Sequence, residues 1–196
     1  MSRSTMTNLI QTVRGFAQAG TAEYTAGTVN YWSDDQIQEV LDRHCYEVRS
    51  ETLESFPVTV SGGTTQWKDY QSAYRWFEAT DGGTARFIVQ DSTGSTITSY
   101  TAQAQRGLIT FNQNTGGTVY QLTGFAYDVY GAAADIWTQK AAQYAVKIDF
   151  KTDNHEVRRS HIMQNIDMMI ARYTSMSGAP YQSSNVATIY RGDSRC

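Results

Sequence analysis

The junction at Tyr127-Asp128 constrains this chain more than any other stretch. Ahead of it runs a glycine-punctuated β pattern, Gly107-Leu108-Ile109-Thr110-Phe111 and then Gly117-Thr118-Val119-Tyr120-Gln121-Leu122-Thr123-Gly124-Phe125. Behind it come Tyr127-Asp128-Val129-Tyr130-Gly131-Ala132-Ala133-Ala134-Asp135-Ile136-Trp137, with helical spacing of apolar and small residues. Strand grammar gives way to helix grammar within two residues. Residues 1–55 also read as helical, so the pattern predicts strands inserted between paired helices, in the order α-α-β-α-α.

The helices are argued from stripes and caps. Leu9, Val13 and Phe16 share a side of a first helix over Thr5 to Ala17, followed by a connector from Gly20 to Tyr31. Ser33 with Gln36 forms a capping-box pattern for a second helix, and Asp34 and Asp35 sit at the positive end of its dipole. Its stripe of Ile37, Val40, Leu41, Cys45 and Val48 predicts an end near Arg49 to Glu51. A third helix over residues 128–148 aligns Val129, Ala133, Trp137, Ala141, Tyr144 and Ile148, while Ala132, Ala134, Ala142 and Ala145 leave room for a close neighbour. Lys151 to His155 reads as a tight connection, with Asp153 and Glu156 spaced to cap a fourth helix. That helix buries Ile162, Ile166, Met169, Ile170 and Tyr173, keeps Arg158, Arg159 and Arg172 off the apolar face, and stops near Gly178-Ala179-Pro180.

Between the helical halves, Phe56 to Phe125 alternates short Thr/Tyr/Val/Phe runs with Gly-rich turns, the pattern of hairpins. The expected pairs are Arg86–Gln90 with Thr96–Thr101, and Leu108–Asn112 with Thr118–Phe125. The fold expected is therefore α+β: an antiparallel bundle of about four helices (1–55 and 126–176) with an inserted β-hairpin or small antiparallel sheet region (56–125) between helices two and three. An extended C-terminal tail (177–196) completes it, dotted with Val186, Ile189 and Tyr190; roughly twenty extended residues span on the order of 60–70 Å, enough to reach another protein.

Composition narrows the function. A net charge of −3 and pI near 5.6 argue against a protein that grips nucleic acid through a basic face. Cys45 and Cys196 form no disulfide or zinc spacing, and neither a signal peptide nor a membrane span is read, so synthesis as a soluble cytoplasmic protein is expected. His44, His155 and His161 do not share a helical face as a metal site requires, Asp34-Asp35 is explained by capping, and no phosphate-binding glycine loop is present. No catalytic, cofactor or metal residue is expected, and the chain reads as a non-enzymatic structural or binding protein. The aromatic residues of the insertion, Trp67, Tyr70, Tyr74, Trp76, Tyr100 and Tyr120, leave two readings open: a core filling, or a carbohydrate- or receptor-binding face.

Tyr127-Asp128, Ala132-Ala133-Ala134, Trp137, Lys140-Ala141-Ala142, Asp149-Phe150-Lys151-Thr152-Asp153 and Arg158-Arg159-Ser160 together resemble the C-terminal half of the head-to-tail adaptor (head-completion, connector) proteins of tailed bacteriophages, over roughly residues 105 to 175. The resemblance implies a ring, usually twelvefold in that family, in the virion neck under the portal protein. Such a ring extends the DNA channel, passes packaged DNA without sequence-specific binding and docks a stopper or tail-completion protein; a place among those other neck components is the nearest alternative. It implies portal contacts from the tail, at Tyr181, Val186, Ile189, Tyr190 and Arg191. It also implies subunit contacts on helices three and four, at Trp137, Lys140, Tyr144, Arg158, Arg159 and Arg172.

Overall fold

The structure is a computed structural model that describes residues 2–21, 23–26, 29–60, 62–79, 86–145, 150–152, 155–157 and 159–178. In chain order its first elements are α1 (Thr7–Ala17), β1 (Tyr24–Ala26), β2 (Val29–Tyr31), α2 (Asp34–Arg43), β3 (Cys45–Thr52), β4 (Glu54–Val60) and β5 (Thr64–Gln71). There follow β6 (Phe87–Asp91), β7 (Thr96–Ile97), β8 (Tyr100–Gln103), β9 (Leu108–Phe111), β10 (Tyr120–Tyr127), α3 (Val129–Tyr144), β11 (Phe150–Thr152), β12 (His155–Val157) and α4 (Arg159–Met176). Two compact units result: Met1–Tyr46 with Tyr127–Ala179 is helical, and Glu47–Ala126 is built of strands.

The expected helical bundle with a small inserted hairpin is not what forms. The described residues give four α-helices and two four-stranded antiparallel sheets, β3-β10-β6-β7 and β4-β5-β9-β8, with about a third of the residues in sheets. The second helix ends at Arg43, where the His44 amide donates to the Leu41 carbonyl, and Cys45 to Thr52 continue as a strand. Cys45 is exposed and of this strand only Val48 is buried, so the apparent helical stripe was two residues too long; pairing with β10 overrides it. The connector from Gly20 to Tyr31 contains the hairpin of β1 with β2. The tight connection before α4 contains the hairpin of β11 with β12, which places Glu156 in a strand, not at a cap.

In the helical unit, α3 is the element on which α1, α2 and α4 pack. Ala132, Ala133 and Ile136 are fully buried, and the small side chains permit that approach from several sides. Phe16 of α1, Tyr130 of α3 and Tyr173 of α4 stack with ring centroids 5.3–6.4 Å apart. The capping box at α2 forms as expected: Ser33 Oγ accepts from the Gln36 amide and Gln36 Oε1 from the Ser33 amide. Asp128 caps α3. Its Oδ1 accepts from the amides of Tyr130 (3.1 Å) and Gly131 (2.9 Å), and its Oδ2 from Ser177 Oγ (2.6 Å) and the Gly178 amide (2.9 Å). One buried carboxylate thus starts α3 and receives the end of α4.

In the strand unit both sheets contribute to one core, including Val48, Phe87, Val89 and Leu122 from one and Tyr70, Ile109 and Phe111 from the other. The first expected hairpin forms only as β6 with β7; the chain then leaves to the other sheet, where β8 pairs with β9. The second does not form: β9 lies between β5 and β8, and β10 pairs with β6. Phe111 and Tyr120 explain why, since their rings stack at 4.3 Å across the core instead of lying side by side in one ladder. The buried Tyr70 hydroxyl fixes the connection between them, meeting Thr115 Oγ1 at 2.6 Å and donating to the Thr118 carbonyl at 2.9 Å. Glu51 of β3 fastens the chain after β5, taking the Ser72 hydroxyl at 2.5 Å and the Ala73 amide.

Two outcomes are expected. Asp128→Ala removes the α3 cap and the α4 tie together and should lower unfolding free energy by about 1–3 kcal/mol in urea titration. Burial pushes the Glu51 carboxyl above the usual carboxylate range, against the opposing pull of Ser72 and Ala73. A folded pKa above the unfolded one gives stability that is complete below the unfolded value and fades as pH rises through the folded value. Glu51→Gln should therefore flatten this loss between acid and neutral pH in denaturation midpoints; an unchanged pH profile contradicts the assignment.

Candidate functional site in the cleft of α3 and α4

A helix end leaves its last carbonyls without intrahelical donors, and α1 ends in the left-handed Gln18. Two side chains of α3, one turn apart, supply the donors. Trp137 Nε1 donates to the Phe16 carbonyl at 3.2 Å, and Lys140 Nζ donates to the Gln18 carbonyl at 3.0 Å. The same ammonium lies 2.7 Å from Glu23 Oε2 and 5.0 Å from the centre of the Trp137 ring. A cation at a helix C-terminus is favoured by the dipole, and here carboxylate and indole also compensate its burial, with 3% of the side chain exposed against 26% for Glu23.

Beside this arrangement opens a cleft of about 460 Å³. Gln18, Glu23, Trp137, Lys140 and Tyr144 line one side, and Ile162, Asn165, Ile166, Met168 and Met169 of α4 the other. The walls are mostly apolar, and the one charged pair is internally neutralised. Such a cleft suits an apolar or aromatic group with a hydrogen-bonding edge, in the size range of ordinary binding pockets. Among the described residues no group of three metal-ligating side chains occurs, and no helix is long and apolar enough to cross a membrane.

The residues expected to meet a neighbour separate into three sets. Trp137, Lys140 and Tyr144 are brought together at the cleft, but Trp137 and Lys140 are buried within their own unit by their bonds to α1. Arg172 is exposed on α4, its guanidinium 5.8 Å from the Tyr173 ring. Arg159 is the first residue of α4, while Arg158 and the tail residues Tyr181, Val186, Ile189, Tyr190 and Arg191 lie outside the described residues. Glu23 and Gln18 were missed by sequence reasoning. The Trp137/Lys140 spacing was legible, but a carboxylate in a Thr/Ala/Gly connector carries no local signal of its partner.

The aromatic residues of the strand unit are largely interior. Tyr70 and Tyr120 are buried, and Tyr100 packs half-buried against Phe87 and Phe111. Trp67 covers the backbone at Gly117, where an added Cβ would stand 3.4 Å from the indole. A smaller recess of about 220 Å³ at Tyr100 is lined otherwise by Ala79, Phe87, Ala102 and Ala104, which add no polar side chain to the Tyr100 hydroxyl.

No protein-family model matches this chain, and no curated protein sequence or solved structure does so either.

Lys140→Met is expected to destabilise the protein by about 1–3 kcal/mol, the lower part of the range because Glu23 regains some water. Combined with Glu23→Gln the cost should be less than additive, as a double-mutant cycle by thermal or urea unfolding would show.

Proposed function

We propose that this chain is a structural, non-enzymatic subunit of the head-to-tail adaptor kind, forming a ring under the portal of a tailed bacteriophage and presenting a docking platform to a stopper or tail. The observation that carries the reading is where the resemblance falls. From Tyr127 to Ala142 its residues make up β10's end, the cap and most of α3, the helix on which the rest of the helical unit packs. The likeness therefore covers the organising element of that unit.

Two further features support an assembly role. The cleft of α3 and α4 offers apolar walls on which a neighbouring subunit can seat a side chain, and Met168 and Met176 of α4 are exposed at 62% and 45%. A net charge of −3 is suited to a channel through which DNA slides without sticking. The carbohydrate- or receptor-binding alternative draws less support, because Tyr70 and Tyr120 are in the core and Tyr74 and Tyr100 pack partly buried against it.

On this reading residues 181–196 contact the portal. Deleting them should abolish co-purification with portal protein while leaving the far-ultraviolet helical signal intact. Portal binding retained by the truncated chain overturns the tail assignment. Immunogold labelling of particles with antibody to residues 60–120 tests the location: gold at the head-tail junction supports the adaptor, and gold at tail tips or fibres supports a receptor-binding role instead.

A further inference from the structure

β3 is the edge of its sheet, and its outer side has no neighbouring strand among the described residues. An unpaired edge is a template for another strand, and edges are normally short, kinked or proline-bearing. The other three edges of the two four-stranded sheets fit that rule. β7 has two residues, β8 has four, and β4 carries Pro57 at a register shift. β3 has eight residues and no proline, and it stays regular until Ser50, where φ is +48°.

Alternation along the strand fixes which residues face outward. The His44 carbonyl accepts from the Asp128 amide at 3.0 Å, so in the antiparallel ladder Tyr46 and Val48 follow it toward β10. Glu47 and Arg49 turn their backbone groups to the outer side. Glu47 and Arg49 also project from one face of the sheet, exposed and 2.7 Å apart, with opposite charge.

We propose that β3 is a self-pairing edge through which two copies of this chain join antiparallel, centred on Val48 of each copy. In that register Glu47 lies directly opposite the second copy's Arg49, and Arg49 opposite the second copy's Glu47, as hydrogen-bonded pairs of the ladder. Charges attract at both positions. Centring one residue either way keeps the backbone bonds but sets Glu47 against Glu47, or Arg49 against Arg49. Charge complementarity therefore selects both the partner, a second copy, and the register. The contact closes on itself as a twofold pair, so it is separate from the ring contact proposed above and stands whether or not that reading holds.

The test is mass by light scattering and sedimentation of the full chain, across protein and salt concentration. Glu47→Arg and Arg49→Glu each place like charges across the edge, and each should lose association at concentrations where the unaltered chain pairs. Mixed in equal amounts the two variants restore attraction at both positions, and they should associate more tightly than the unaltered chain because the partner's charges offset a repulsion within each strand, where the unaltered chain already pairs Glu47 with Arg49. Added salt should weaken the pairing. A mass that Glu47→Arg and Arg49→Glu leave unchanged, or a mixture no heavier than its components, overturns the proposal. Both side chains are exposed, so circular dichroism should show the fold intact in every variant.

Discussion

Asp128 stands where strand becomes helix, and its carboxylate is asked to satisfy four donors from two helix ends. A buried carboxylate without donors is strongly disfavoured, so the four bonds stand or fall as a set. The set also dictates its neighbour. A Cβ at position 131 would stand 2.6 Å from Asp128 Oδ2 and 2.8 Å from His44 Nδ1, so glycine is required beside the cap. His44 is itself placed by Asp135 one turn further along α3, at 2.9 Å. The start of α3, the end of α2 and the end of α4 are therefore positioned by polar contacts within the first two turns of α3, and its alanine-rich stretch is free to pack closely.

The opposite end of the helical unit is organised by the same kind of contact with reversed polarity. At Asp128 an anion meets helix N-terminal amides; at Lys140 a cation meets helix C-terminal carbonyls. Between them α3 makes polar contacts through Asp135 on His44 and Trp137 on the Phe16 carbonyl, and Ala132, Ala133 and Ile136 are entirely buried. The cleft follows from this arrangement, because Trp137 and Lys140 turn toward α1 and leave space between themselves and the Ile162, Ile166 and Met169 side chains of α4.

What the amino-acid sequence made legible was local. The Ser33/Gln36 box and the switch at Asp128 depend on residues within a few positions of one another and took the form expected, whereas the α4 stripe buries only Ile166 and Tyr173 and the hairpin after Gln90 formed only at Thr96–Ile97. The errors were non-local. Cys45 and Val48 fit a helical stripe as well as a strand, and only the presence of β10 as a ladder partner decides between them. Leu108–Phe111 and Tyr120–Tyr127 are close in sequence and rich in strand formers, yet stacking of Phe111 on Tyr120 holds them on opposite walls of one core. The Glu23–Lys140 pair belongs to the same class, a long-range contact with no periodic signature.

The polar side chains of the strand unit show why its surface, more than its interior, is where function has to be sought. Tyr70 uses its hydroxyl to hold the Thr115–Thr118 connection, Glu51 its carboxylate to hold Ser72 and Ala73, and Asn114 its amide oxygen to hold the Trp67 backbone. Each is occupied in joining strands and loops, and the aromatic rings around them fill one another's faces. Among the described residues, the outer side of β3 has no neighbouring strand and an apolar cleft lies along α4. Features of these two kinds suit contact with a protein surface, one by hydrogen-bond ladder and the other by shape. A molecule whose open features are of these two kinds is equipped to be built into something larger.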